Sequence, residues 1–156
     1  MKLLLWVVKH EVDNLSKHGI RIRTIGSKVR LGAALVRAIH AAEEKTKDNG
    51  RGTLLLCLNY GGQQEIVDAM KQIIESGTSS SDITPELISQ YLYAPGVPPV
   101  DLIIRTSGEQ RLSNFMLWEG AYSELMFTDT YWPDFSADEL RQMLLEYSKR
   151  QRRIGV

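Results

Sequence analysis

Apolar residues fall along this chain in alternating blocks of helical and extended spacing. Between Met1 and Lys17, Leu4, Val8, Val12 and Leu15 recur on one helix face, and Gly19 is placed to stop that helix after His18. Ile20 to Ile25 interleaves apolar residues with Arg21 and Arg23, the pattern of a half-exposed or edge strand ended by Gly26. Ser27 is positioned to cap a second helix to about Asp48, with Leu31, Leu35, Ile39 and Ala42 on one side and Asn49-Gly50 closing it. Thr53 to Asn59 is a continuous apolar run between Gly52 and Gly61, as expected of a parallel strand buried on both faces.

The second half repeats the alternation. A helix over Gln63–Ser76 follows the turn Asn59-Tyr60-Gly61-Gly62, a strand exit and helix start that together favour an anion or substrate near the helix N-terminus. Gly77–Asp82 is a serine-rich loop, and Thr84-Pro85 starts a short helix to about Tyr93 with Thr84 as its cap. Ala94 to Pro99 makes a rigid lead into a strand over Val100–Ile104. Leu125 to Phe127 is a last strand, Trp132-Pro133 turns the chain, and Ser136 caps a terminal helix bearing Leu140, Met143, Leu144 and Tyr147. The cations from Lys149 to Arg153 stand at its C-terminal end, favourably for the helix dipole. Four strands alternating with helices and no internal repeat indicate an α/β fold, an open and mostly parallel sheet flanked by helices, in a single domain over 1–156.

Composition narrows the function. With 43% hydrophobic and 24% charged residues, the 156-residue chain has the balance of a soluble globular domain. Nineteen basic and nineteen acidic residues cancel, which leaves no long-range field to gather nucleic acid or an anionic membrane, so any anion site must be local. Cys57 is the single cysteine, read as core; its isolation fits a reducing compartment. The apolar run near Met1 is too short to span a bilayer and meets Lys9-His10-Glu11 with no small-residue cleavage site, which points to the cytoplasm. His10 and His18 read as helix-surface residues without chemistry.

The densest chemistry lies between Asp101 and Glu124. The strand runs straight into Arg105-Thr106-Ser107-Gly108-Glu109-Gln110-Arg111, a turn with two guanidiniums, two hydroxyls and a glycine. Arg105 and Arg111 can grip separate oxygens of a phosphate or diphosphate, while Ser107, Ser113 and backbone N–H groups around Gly108 complete its hydrogen bonding. Such a turn belongs at the carboxyl end of a strand, where open α/β sheets bind ligands. Glu124 nearby would repel a diphosphate unless a cation bridged them, which suggests magnesium. A simpler reading of the same residues has Arg105 and Arg111 paired with Glu109 and Glu124 in ordinary salt bridges.

Arg105-Thr106-Ser107-Gly108-Glu109-Gln110-Arg111-Leu112-Ser113-Asn114-Phe115-Met116-Leu117-Trp118 resembles the signature R-T-[SG]-G-E-x-R-[LI]-S-N-F-x-x-W of the cis-prenyltransferases, the undecaprenyl diphosphate synthase family. Ala121-Tyr122-Ser123-Glu124-Leu125-Met126-Phe127 matches the A-Y-x-E-L-x-F that follows, Trp132-Pro133-Asp134-Phe135 matches W-P-D-F, and Asn59-Tyr60-Gly61-Gly62 matches N-Y-G-G. The resemblance implies that Arg105, Arg111 and Ser113 bind the diphosphate of isopentenyl diphosphate, that Asn59 supports the site, and that Glu124 helps hold Mg2+. It further implies that Arg153-Ile154-Gly155, matching an R-x-G near the family's C-terminus, crosses a dimer interface to the partner's substrate. The implied protein is a transferase of isoprenoid biosynthesis that condenses isopentenyl diphosphate with an allylic diphosphate into a Z-polyprenyl diphosphate, a membrane-associated product.

Two family motifs, M-D-G-N-G-R-W and S-x-E-N-W-x-R-P, do not occur in the sequence. The resemblance begins inside a helix of the family fold, an incomplete version of it that supplies the isopentenyl half-site. Three expectations follow: the C-terminal portion of a cis-prenyltransferase acting as a homodimer, a non-catalytic partner subunit of a heteromeric enzyme, or an inactive truncated remnant. Setting the resemblance aside leaves an arginine-based phosphate-binding enzyme of unknown reaction.

Overall fold

In a computed structural model of the chain, residues 2–29 and 31–151 are described. They form two compact units, 1–60 and 61–156. The first contains helix α1 (Lys2–Lys17), strand β1 (Ile20–Ile25), helix α2 (Ala33–Thr46) and strand β2 (Gly52–Cys57). β1 and β2 pair in parallel from Ile20 opposite Gly52 to Ile25 opposite Cys57. α2 is the crossover that a parallel pair requires.

Helical spacing puts Leu35, Ile39, Ala42 and Thr46 of α2 on one buried face. Val12 of α1, Ile22 of β1 and Ala42 form the apolar centre, with Leu15, Ala38 and Leu56 against it. Thr46 is fully buried, and its hydroxyl is satisfied twice: it donates to Ala42 O at 2.8 Å and accepts the Ile22 N–H at 2.9 Å. Glu43 does similar work one turn earlier, where a carboxylate oxygen accepts both the N–H and the hydroxyl of Thr24. Thr46→Val keeps the shape but strands the Ile22 N–H in the core, so a loss of about 1–3 kcal/mol is expected in denaturant unfolding. A midpoint matching the parent would refute this role.

Two expectations are corrected in this unit. α2 starts at Ala33 behind Gly32, not at Ser27, whose hydroxyl instead accepts the Val29 N–H across a local turn. β2 is not buried on both faces. Among the described residues it pairs with β1 alone, Leu54 is 38% exposed, and Cys57 is half-buried rather than core.

The second unit contains helix α3 (Gly62–Glu75), helix α4 (Pro85–Tyr91), strands β3 (Leu102–Arg105) and β4 (Glu124–Phe127), and helix α5 (Ala137–Tyr147). Caps set the helix starts: Thr84 accepts the Leu87 N–H and Ser136 accepts the Glu139 N–H. β3 and β4 are again parallel, from Leu102 opposite Glu124 to Arg105 opposite Phe127. Ala69 and Ile73 are buried on α3, and Ile103 and Met126 on the two strands. Glu65 is 1% exposed, and its Oε1 accepts the Tyr93 N–H at 2.9 Å, tying the end of α4 to α3. Burial and the nearby Asp68 raise the Tyr93 phenol, while that phenol and Gln64 hold the Asp68 carboxyl low. Parallel strands flanked by helices are the class that the hydrophobic pattern indicates.

Candidate functional site

The β3–β4 pairing continues past the last strand residues into the turn that follows β3. Thr128 N–H donates to Arg105 O, Gly108 N–H to Thr128 O and Ser107 N–H to Thr130 O, all near 3 Å. Ser107 and Gly108 both have positive φ, 72° and 71°. That conformation is uncommon outside glycine, and at Gly108 a Cβ would also lie 3.0 Å from Asp129 Oδ1. The left-handed bend brings the next residues back over the end of β3.

Arg105 braces this loop. Its Nη1 donates to the backbone oxygen of Arg111 and, at 3.0 Å, to Ser113 Oγ. Arg105, Arg111 and Ser113 are therefore brought together as the sequence indicates. The Arg111 guanidinium, 62% exposed, pairs with Glu109. Beneath them is a cavity of about 200 Å³ lined by Arg105, Arg111, Ile103, Leu112, Phe115 and Phe127, among others. Two cations at the edge of an apolar concavity suit a ligand with an anionic head and a short hydrocarbon tail.

The backbone amides behave differently from expectation. The N–H groups of Ser107 and Gly108 are already bonded to carbonyls, so they hold the turn and are not free for an anion. The N-terminus of α3 is likewise occupied: Asn114 O accepts the Gly62 N–H and Asn114 Oδ1 accepts the Gln63 N–H, both at 2.8 Å. Asn114 thus caps α3 from a distant part of the sequence. A Cβ at Gly61 would lie 2.7 Å from Asn114 Nδ2, and one at Gly62 2.9 Å from Leu117 Cγ, which accounts for the glycine pair by close packing. Asn59, in the first unit, has positive φ and donates from Nδ2 to Ser27 O and Val29 O at 3.3 Å each.

Glu124 opens β4, half-buried, and Arg150 donates to its Oε2 at 2.8 Å. The same guanidinium reaches Leu125 O and Glu146. Its hydrogen bonds to Glu124 and then Glu146 raise the Arg150 pKa further above the usual range. The ion-pair alternative is thus half realised: Arg111 does take Glu109, but the cation on Glu124 is Arg150. Arg150 lies in the basic stretch assigned to the helix dipole. Arg153 and the rest of its motif lie outside the described residues. Among the described residues, no three His, Cys, Asp or Glu side chains group as a metal centre would. Glu124 alone fits magnesium only in the manner that ion favours with phosphates, through one or two carboxylates with substrate oxygens and water completing the shell.

Sequence reasoning passed over Thr128, Thr130 and Glu139. Glu139 Oε1 accepts hydrogen bonds from Thr128 Oγ1 at 2.5 Å and Thr130 Oγ1 at 3.1 Å. The spacing from Ser136 to Glu139 is that of a capping box, a signal that marks Glu139, although its side chain reaches the threonines.

The chain is built of parallel α/β units, with the arginine-braced turn at the carboxyl end of a strand, the position where open α/β sheets bind ligands. The prenyltransferase family model, described as "Putative undecaprenyl diphosphate synthase", matches residues 1–155, and the chain belongs to this family, the cis-prenyltransferases. It is 46% identical over 159 residues to an isoprenyl transferase of Clostridium perfringens, an alignment covering 99% of this chain and 63% of that relative. Crystal structures similar to it include the following two. A probable undecaprenyl diphosphate synthase from Campylobacter jejuni has 32% identity and a TM-score of 0.90 over 99% of this chain and 72% of that one. Lavandulyl diphosphate synthase from Lavandula x intermedia, in complex with dimethylallyl diphosphate, has 34% identity and a TM-score of 0.93 over 99% and 69%. The chain thus spans somewhat less than two thirds of the Clostridium relative's length.

Proposed function

We propose that this chain provides the isopentenyl diphosphate half-site of a cis-prenyltransferase, which condenses that substrate with an allylic diphosphate into a Z-polyprenyl diphosphate. The observation that carries it is the convergence of Arg105, Arg111 and Ser113 above the apolar cavity lined by Ile103, Leu112, Phe115 and Phe127. Arg111 and the Ser113 hydroxyl take the diphosphate, and Arg105 holds both while adding its own charge. The five-carbon tail then lies against the apolar lining, which fixes the direction of its double bond. Asn59, which bonds to Ser27 O and Val29 O beyond β1, is assigned a supporting role for the substrate, and Arg153 a further contact to substrate across a homodimer interface.

Glu124 is the carboxylate assigned to Mg2+, and the ion when bound supplies charge neutralisation at the diphosphate oxygens. Arg150 occupies the same carboxylate, so it serves as the counter-ion that keeps Glu124 oriented. No described helix is long and apolar enough to cross a membrane. The reading places the protein in the cytoplasm, with its product passing to a membrane.

Calorimetric titration with isopentenyl diphosphate, inorganic diphosphate and inorganic phosphate, each with magnesium, tests the proposal. Both diphosphates should bind at least about tenfold more tightly than phosphate, because two separated guanidiniums reward two phosphoryl groups. Equal affinities would leave an arginine-based phosphate site of another kind. Tight binding without turnover on adding an allylic diphosphate would favour the non-catalytic partner subunit or inactive remnant.

A further inference from the structure

Away from the arginines, the turn is fastened by a second set of contacts. Ser107 and Gly108, the two left-handed residues, donate their amides to Thr130 O and Thr128 O. The loop carrying those carbonyls is not itself a strand. It is held by its side chains: Thr128 Oγ1 accepts the Thr130 N–H at 3.2 Å, and both hydroxyls meet one oxygen of Glu139. Glu139 stands in the first turn of α5, where Ser136 Oγ accepts its own N–H. One carboxylate oxygen thus fixes two hydroxyls, the two hydroxyls fix two carbonyls, and the carbonyls fix two amides.

We infer that Glu139 is a positioning residue for the diphosphate turn, acting through Thr128 and Thr130 on Ser107 and Gly108. This rests on the half-site reading above. The carboxylate touches no ligand-binding side chain, and its effect on binding passes through backbone geometry. A Ser107 at φ 72° has an intrinsic cost for a residue with a Cβ. Without the Thr130 carbonyl held in place, Ser107 relaxes to ordinary conformations, and the segment from Arg105 to Ser113 loses its bend.

The full chain carrying Glu139→Ala, Glu139→Gln, or Thr128→Val with Thr130→Val tests this by two readouts. Amide exchange at Ser107 and Gly108 should quicken about tenfold in Glu139→Ala and in the double valine variant, with the affinity for inorganic diphosphate falling by a similar factor. Glu139→Gln retains an acceptor oxygen for both hydroxyls, so exchange and affinity should stay within about threefold of the parent. The Ser136 cap is a separate contact, so α5 should remain folded by circular dichroism, and the glutamine variant controls for any loss of fold. Unchanged exchange in both disrupting variants overturns the inference, as does faster exchange with undiminished diphosphate affinity. If the parent itself binds no diphosphate, the half-site reading fails. Exchange then decides only whether Glu139 holds the turn, and the inference is overturned as a statement about diphosphate.

Discussion

Arg111→Ala should weaken binding of isopentenyl diphosphate by about 100-fold or more, with little change in thermal stability. The guanidinium is 62% exposed and its protein contact is the pair with Glu109, an interaction of the surface kind that adds little to folding. Two charge-assisted hydrogen bonds to a diphosphate are worth about 1.5–3 kcal/mol each, and each 1.4 kcal/mol is tenfold in affinity, so the lower end already gives about 100-fold. Solvent screening at an open turn argues for that lower end. Removing Arg111 also frees Glu109, leaving a carboxylate beside the anion site and adding to the loss. Titration calorimetry of parent and variant reads the effect, and matching affinities would remove the central claim about this turn.

Arg105 makes different contacts from Arg111, although the sequence presents the two arginines as equivalents. Its guanidinium donates to the Arg111 carbonyl and to Ser113 Oγ, so it closes the turn that displays Arg111. Lysine keeps the charge but not the planar fork that serves two acceptors at once. A linear pattern does not say which guanidinium will also bond to a carbonyl further along the chain, as Arg105 Nη1 does here while its other donors remain for a ligand.

The same distinction separates what was legible in the sequence from what was not. Thr84-Pro85 and Ser136 mark their helices because a capping hydroxyl and its N–H lie within one turn of chain. α3 has no such local cap. Asn114 supplies it from far along the sequence, and the glycine pair that resembled an anion loop is there to let Asn114 and Leu117 approach. Ser27 failed as the start of α2 for the complementary reason: its hydroxyl finds a nearer donor at Val29, and the helix begins behind Gly32. The apolar run of β2 indicated burial on both faces, but a hydrophobic run specifies only that partners are wanted, and β1 is the partner among the described residues. At the site, the signature marks Arg105, Arg111 and Ser113, which the turn does bring together. It could not show that Glu124 meets Arg150, or that Glu139 reaches Thr128 and Thr130, since both pairings depend on how α5 folds back on β4.

Gly26→Ala should produce the largest stability loss in the chain. Gly26 sits at φ 103°, where a side chain is strained whatever room it has, and here there is none. Its Cβ would lie 2.2 Å from the Leu58 carbonyl oxygen and 3.1 Å from the Tyr60 Cα, contacts with backbone that no rotamer change relieves. Leu58 N–H bonds to Ile25 O and Ser27 N–H to Asn59 O on either side, so the two strand exits are held against each other at this point. Backbone strain of about 1–3 kcal/mol and overpacking of about 1–3 kcal/mol act together, for a loss of roughly 2–6 kcal/mol. Against a typical total of about 5–15 kcal/mol, that takes a large share of the fold's stability. Because Asn59 bonds across the same junction to Ser27 and Val29, relief of the clash by separating the strand exits displaces Asn59 as well. Denaturant unfolding should show a lowered midpoint, and diphosphate titration of the fraction still folded should show whether Asn59 belongs to the site. A variant as stable as the parent would mean that the two strand exits do not meet as described.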